Sequence, residues 1–591
     1  MNVASAGPVV LTIAILAATW FARRAGYTVP IPVAVPGALL AGVVVAVPLR
    51  VLGVEAALTP TVVLSLVTGV SIVWSIDRPQ GAWAARLRDR FLMGVPWGTV
   101  LGILLVISVY LFLQQGIRNL QQPLSIPFTS WSYHYPLGIV TAPFSHANFG
   151  HLIGNLVGTV TLAPLAEYAF GHFPTRRGSS SFASWRTNPY VRAFVLFPLG
   201  ILLVGLASSL FAWGAIIGFS GVVFAFAGFA ILRYPFATVV ALTARGVVST
   251  IYYSLRDPVV VGSASPSYGA PWWVGIAVQG HLLGLFLGAI LAVIIIGRRR
   301  ERPSAARLFA GVTIAGFELT IWALWWYRGP ASYVLYRGLG VVLVVTVAVG
   351  LATAIRATDR PIGLDVTRRQ IAIAVVLLPL LTMAMVAVPV NSTTVTSADA
   401  PQDAIEVRDY TVYYAEDVPH RRVSSVDIEL LNESTSVNAS GVIVTSDKRH
   451  VWTEAVSTGS LGFWGEQSVR VGGVGWMQTI DARRIGWRPA GAPPVYNVYL
   501  APPEENFSHV YASEARTADP TIAGRNVTFV PTEAAFRIRV TDGNRTLGEA
   551  PIPSTSESVT VGDIAFVRQN ETLQARYNGT RIRIGTTESY E

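Results

Sequence analysis

Twelve apolar runs, each close to 20 residues long, constrain this chain more than any other feature. They fall at 7–22, 31–52, 58–76, 91–113, 150–170, 191–212, 219–235, 236–254, 272–297, 307–327, 331–356 and 370–390. A run of about 20 apolar residues crosses the hydrocarbon layer of a bilayer as a helix. In lipid, a helix satisfies its own backbone polar groups, which an open strand does not. The composition agrees: 52% of the 591 residues are hydrophobic, and the mean hydropathy is +0.49. Up to residue 390 the expected fold is that of an α-helical polytopic membrane protein. The seventh and eighth runs are the least clearly divided. Arg233 and Pro235 separate them, and Arg245 interrupts the eighth, where it either snorkels or ends its helix.

Charge divides the chain in two. Residues 1–390 hold 26 Lys+Arg and 9 Asp+Glu, a balance of +17, whereas residues 391–591 hold 18 and 25, a balance of −7. In the first part the arginines crowd into alternate loops. These hold Arg23 and Arg24; Arg78, Arg86, Arg88 and Arg90; Arg176, Arg177, Arg186 and Arg192; Arg298, Arg299, Arg300 and Arg302; and Arg356, Arg360, Arg368 and Arg369. Such loops stay cytoplasmic, which puts both the N-terminus and the tail outside. No basic residue precedes the first apolar run, which suits an exported start better than a cleaved signal peptide. Basic charge beside membrane spans reads as cytoplasmic loops and not as nucleic-acid binding. Lys448 is the single lysine; the bias toward arginine reads as coding composition, and the acidic tail would suit high salt, as in a halophile. The chain has no cysteine, which excludes disulfides, thiol catalysis and cysteine-based zinc sites.

The tail supports the same orientation independently. Asn-X-Ser/Thr sequons occur at Asn391, Asn432, Asn438, Asn506, Asn526, Asn544, Asn570 and Asn578. Of the nine tail asparagines only Asn497 lies outside a sequon, and none of the five in residues 1–390 lies in one. This is the pattern of a glycosylated extracellular domain. AIEVRDYTVYY, GVIVTS, FRIRVTDGNRTL and TRIRIG alternate apolar and polar residues, and Asp542-Gly543-Asn544 suits a hairpin turn. A β-rich, sandwich-like domain of one or two modules is expected.

Three polar clusters interrupt the apolar middle. HANFGHLIGN holds His146, His151 and Asn155, with the last two four apart on one helix face. GFSG holds Ser220 between Gly218 and Gly221, and GHLLGLFLG holds His281, Gly284 and Gly288. Each has a plain structural reading. A membrane histidine can serve only packing, Ser220 can be a small packing residue, and Gly284 with Gly288 has the spacing of a close helix contact. Polar groups inside a membrane are costly and mark function by default, and here three clusters lie on three spans. A serine needs a base to act as a nucleophile near neutral pH, and His281 is the candidate. Between residues 91 and 300 the only acids are Glu167 and Asp257, both near span ends, so a Ser–His dyad is expected. Phe224, one turn after Ser220, can stack on the imidazole. His151 and Asn155 can hydrogen-bond an oxyanion beside the Ser220 N–H. His281 is expected about 14 Å inside its span, counted from Trp272 at 1.5 Å per residue.

In this order the clusters resemble the rhomboid family of intramembrane serine proteases, whose pattern is H-x4-H-x3-N, then G-x-S-G, then a histidine followed by glycines at four-residue spacing. GFSGVVFAFAGFAILR is similar to that family's fourth core helix, and Glu167 in LAEYAFG suits its acidic position. The resemblance covers about residues 91–298. It implies a six-helix core open to water from outside, cutting transmembrane segments near their outer ends. It implies Ser220 as nucleophile, His281 as general base, and an oxyanion hole of His151, Asn155 and Ser220. His146, Gly218, Gly221, Phe224, Gly284 and Gly288 would support that site. Two positions depart from the family: Phe224 stands where a tyrosine is usual, and Leu137 stands where a Trp-Arg pair is common. His134 reads as a surface histidine, and Glu318 as a buried acid in the tenth span.

The expected organisation is three extra spans in 1–90, a rhomboid-like core in 91–298, three more spans in 299–390, and the extracellular domain in 391–591. That is a six-helix core with about six extra spans, in the cell membrane. Membrane-anchored substrates and the lipid bilayer are the expected partners, with a cell-surface glycoprotein as partner for the tail. No metal or cofactor is called for. Two other functions fit the same sequence: a non-catalytic relative that binds transmembrane helices, and a transporter.

Overall fold

The structure, a computed structural model, describes Val62, Val63, Leu66 and residues 82–591 except 175–176, 258–267, 297–302, 330–331, 357–360, 364–365, 398–399 and 423–436. The runs at 7–22 and 31–52, the rest of that at 58–76, and Asn432 lie outside the described residues.

Six helices form the central bundle: α1 (Trp97–Leu113), α2 (Phe149–Phe170), α3 (Pro189–Phe211), α4 (Ser220–Ile231), α5 (Pro235–Arg256) and α6 (Val278–Ile296). α4 is the hub. Every residue from Gly221 to Ile231 is buried, as expected of a helix that is apolar all round. It packs on α6, α2 and α3, while α5 packs on α2, and α1 on α2 and α3. The chain breaks sharply between α4 and α5, where Pro235 opens the next helix. Proline suits the first turn of a helix because the N–H it lacks has no partner there. Arg245 lies inside α5 and does not end it.

Local chemistry sets the helix starts. Asn148 caps α2 by accepting from the His151 N–H at 2.9 Å. α1 has no local side-chain cap; Glu167 of α2 serves instead, accepting from the N–H groups of Gly98 and Thr99 at 2.8 Å and from Thr99 Oγ1 at 2.7 Å. A carboxylate at a helix N-terminus meets both free N–H groups and the positive end of the dipole. At the far end of α2, Arg90 and Arg192 donate to the carbonyls of Tyr168, Ala169, Phe170 and Gly171.

Three further helices follow: α7 (Ala305–Glu318), α8 (Arg337–Arg356) and α9 (Arg368–Asn391). α7 packs on α5 and α8, α8 on α9, and α9 on α3 and α6, so they form an arc from α5 back to α3. Among the described residues, five helices are long and apolar enough to cross a membrane: α2, α3, α5, α6 and α8. Together they make this a multi-pass membrane protein. The run at 307–327 does not form one span. Its helix stops at Glu318, Thr320 takes a positive φ of 59°, and Trp325–Gly329 (β1) pairs with Ser332–Leu335 (β2). Hydropathy does not separate an apolar strand from an apolar helix, and aromatic and β-branched residues favour paired strands. Glu318 ends α7 and is exposed, contrary to its expected burial, because it falls on the outer side of the last turn.

The tail is built of antiparallel strands. Ile405–Val407 (β3), Tyr410–Pro419 (β4), Asn438–Ser446 (β5) and Val451–Ser457 (β6) form one four-stranded sheet. A second four-stranded sheet spans residues 516–551, and an eight-stranded sheet serves both. Its 14-residue strand Trp476–Pro489 carries Ile480 and Ala482 into one core, with Val412 and Val444, and Trp487 into another, with Phe529 and Ile538. The tail therefore has two sandwich-like cores sharing one long strand. The hairpin at Asp542–Arg545 turns on Gly543-Asn544.

The β domain sits on the end of the bundle where α2, α4 and α6 begin. Arg449 donates to Tyr135 Oη at 2.9 Å, Arg470 donates to Gln122, and Tyr268 Oη lies 3.4 Å from Ser457 Oγ. Asn391 is fully buried at this junction, and its Nδ2 donates to the Ala212 carbonyl at 2.8 Å. That overturns Asn391 as a glycan acceptor: the atom to be modified is enclosed and engaged. Asn438, Asn506, Asn544, Asn570 and Asn578 are exposed and Asn526 is half-buried, while Asn497, outside any sequon, is fully buried.

Candidate active site

α4 places Ser220 in its first turn and α6 places His281 in its own. His281 Nε2 lies 3.0 Å from Ser220 Oγ. Phe224, on the next turn of α4, stacks on the imidazole with ring centroids 4.0 Å apart and planes at 22°. His281 Nδ1 is buried, with no hydrogen-bond partner among the described residues, so the phenyl ring and not a carboxylate positions the imidazole. The place of His281 in its helix differs from the one expected. Trp272–Gly275 is a separate short turn and α6 begins at Val278, so His281 lies only three residues into its helix. α4 is itself short: its 12 residues span about 18 Å at 1.5 Å per residue, against about 30 Å of hydrocarbon.

The segment before Ser220 is shaped by one glycine. Gly218 has φ +129°, which L side chains avoid, and its N–H donates to the Ala142 carbonyl at 2.9 Å. A Cβ there would stand 2.6 Å from His151 Cε1 and 3.6 Å from Asn155 Nδ2. His151 and Asn155 thus lie side by side against the backbone two residues before Ser220. Asn155 Nδ2 is buried without a hydrogen-bond partner among the described residues. His146 is fully buried behind His151, with ring centroids 5.1 Å apart and neither of its ring nitrogens hydrogen-bonded among the described residues.

Gly221, Gly284 and Gly288 lie where α4 and α6 touch. A Cβ on Gly284 would stand 2.1 Å from the Gly221 carbonyl oxygen, and one on Gly288 would stand 2.0 Å from that of Ala225. Gly228 approaches α6 from the other side, where a Cβ would stand 2.1 Å from the Leu285 oxygen. The two helices meet backbone to backbone, and that contact sets the distance between serine and histidine.

Sequence reasoning passed over two supporting residues. Gln114, at the end of α1, accepts from His146 N–H at 2.8 Å and donates to the carbonyls of His146 and Leu124. His172 pairs with Glu167 at 2.7 Å and accepts from Leu92 N–H at 2.9 Å. Gln114 lies in a Gln-Gln pair at the end of an apolar run, and His172 ends the AFGH segment; neither carries a motif. His134 is exposed, with its ring 5.5 Å from that of His450 in the β domain.

A chamber of about 950 Å³ lies beside the site and reaches it at His151. Its floor includes Asn148, His151 and residues 213–217, its side Val274 and Trp325–Tyr327, and its top His420, Arg422, Trp452 and Thr453 of the β domain. Burial pushes His420 down to about 4 and Arg422 down to about 10, so near pH 7 the imidazole is neutral and the guanidinium charged. Among the described residues no group of three His, Asp or Glu side chains could hold a metal ion.

Residues 133–298 match the family model of the Rhomboid domain. The match runs from the loop before α2 to the end of α6 and takes in Ser220, His281, His151 and Asn155. α1, the arc of α7–α9 and the β domain lie outside it. Neither the curated proteins nor the solved structures give a match.

Proposed function

We propose that this rhomboid-type membrane protein is an intramembrane serine protease that cleaves membrane-anchored proteins near the outer end of their transmembrane segments. The carrying observation is the 3.0 Å approach of Ser220 Oγ to His281 Nε2. In this reading the hydroxyl attacks the scissile carbonyl and gives its proton to His281, which passes it to the leaving amine. Water, activated by the same imidazole, then hydrolyses the acyl-enzyme. The Ser220 N–H, with His151 and Asn155, stabilises the oxyanion. The unpaired Nδ2 of Asn155 supports this role, since a preorganised donor waits for charge that develops later.

The β domain is assigned to the outside of the cell membrane, with Asn438, Asn506, Asn526, Asn544, Asn570 and Asn578 as glycan acceptors. The exposure of all of these but the half-buried Asn526 supports that assignment, as does the arginine count of the loops.

The test is the full chain in proteoliposomes with a membrane-anchored model substrate and, separately, with a fluorophosphonate or chloroisocoumarin. Substrate fragments of defined mass and a covalent adduct on the Ser220 peptide are expected. Helix binding without cleavage or adduct would mark a non-catalytic relative. Asn155→Ala is expected to lower turnover on the order of 10²-fold; a near-neutral result removes Asn155 from the oxyanion hole.

A further inference from the structure

The β domain does more than project from the bundle: its residues His420, Arg422, Trp452 and Thr453 form one wall of the chamber beside the site. It grips the rim at several separate places. These are the loop after α1, through Arg449–Tyr135 and Arg470–Gln122; the α9 junction, where Ser132 Oγ donates to the Thr393 carbonyl at 3.0 Å; and the segment before α6, where Tyr268 meets Ser457. Between these contacts lies the 950 Å³ chamber, whose floor carries His151 and the residues leading to Ser220. Five tryptophans line it: Trp131, Trp213, Trp325, Trp326 and Trp452. A second apolar pocket of about 410 Å³ shares Trp213, Trp325 and Trp326 with it and runs past Gly280 along the start of α6.

We propose that this chamber receives the part of the substrate just outside the cleaved bond as an unfolded, apolar-rich segment, and that the β domain excludes substrates folded close to the membrane. The proposal rests on the proteolytic reading above and adds a selection rule to it. Position carries it first: the chamber is lined by His151 and by residues 213–217, which lead directly into Gly218 and Ser220, so it adjoins the place where a scissile carbonyl would lie. Size carries it second. The volume is at the top of the ~300–1,000 Å³ range of pockets for small ligands, enough for a few residues of extended chain and far too small for a folded domain. Chemistry carries it third, because indole walls favour apolar and aromatic side chains over charged ones.

Three substrates with one transmembrane segment test it with the full chain in proteoliposomes. The first has a ten-residue apolar-rich outer segment. The second has a small folded domain fused directly to the membrane end, and the third has the same domain behind a 25-residue flexible linker. The first and third are expected to be cleaved at similar rates and the second at least 20-fold more slowly. Equal rates for all three overturn the selection rule while leaving the protease reading intact; failure to cut even the first overturns both. Thr453→Trp, which narrows the chamber from the β-domain wall, is expected to raise KM for the first substrate about fivefold at unchanged kcat, the mark of lost uniform binding. An unchanged KM removes the chamber from the substrate's path.

Discussion

Ser220→Ala is expected to abolish cleavage, on the order of 10⁴-fold or more, while the protein keeps its fold. The substitution removes one oxygen whose structural partner is His281. Ala is a good helix former at the start of α4, and no packed carbon is lost. The expected readout is a thermal transition within about 1 °C of wild type, together with no fragment and no covalent probe adduct. The loss is large because nucleophile and base act as a unit, so removing either forfeits most of the joint effect. Cleavage that persists would sink the assignment of the nucleophile. His281→Ala is the less clean partner experiment, since it also deletes the ring that Phe224 stacks on at 4.0 Å. A fall in stability is expected there alongside the fall in rate.

Gly288→Val is expected to leave no active, correctly packed protein. Its first added carbon would stand 2.0 Å from the Ala225 carbonyl oxygen. That neighbour is backbone, which has no rotamer to move aside, so α4 and α6 have to separate. Overpacking a tight core costs about 1–3 kcal/mol, and more where backbone has to move. The expected result is a sharp loss of monodisperse protein after extraction and no cleavage by what remains. Gly284→Ala, one turn nearer the site, is the graded version, for which reduced activity is expected because it pushes α6 from Gly221 and widens the Ser220–His281 gap. A Gly288→Val protein that is as stable and active as wild type would overturn the backbone-contact account.

The site was legible because its residues sit in short local patterns. His151 and Asn155 are four apart on one helix, and Ser220 sits in a Gly-flanked helix start that little else in the chain would explain. The partners that hold those elements were not legible. Gln114 bonds to His146 across 32 residues and Glu167 caps a helix 68 residues earlier, and long-range polar contacts leave no periodic signal. The β1–β2 hairpin was hidden for another reason: apolar residues in β1 and β2 raise a hydropathy average as they would in a helix. A sequon likewise carries no information about burial, so Asn391 looked the same as the exposed sequon asparagines. The tail strands were legible from alternation, whereas their docking on the bundle depends on side chains such as Tyr135 and Arg449, 314 residues apart.

The unequal ends of α2 have a mechanical consequence. Near Glu167 the helix is clamped: its carboxylate holds α1, and two arginines hold its last carbonyls. Near His151 it abuts the chamber, and Asn155 is still unpaired. α2 is therefore anchored at the end far from the site. His151 lies 16 residues from Glu167, about 24 Å along the axis. A tilt of about 5° about that anchor would shift the imidazole by about 2 Å, so the placing of His151 rests on the packing of α2 against α4 and α5.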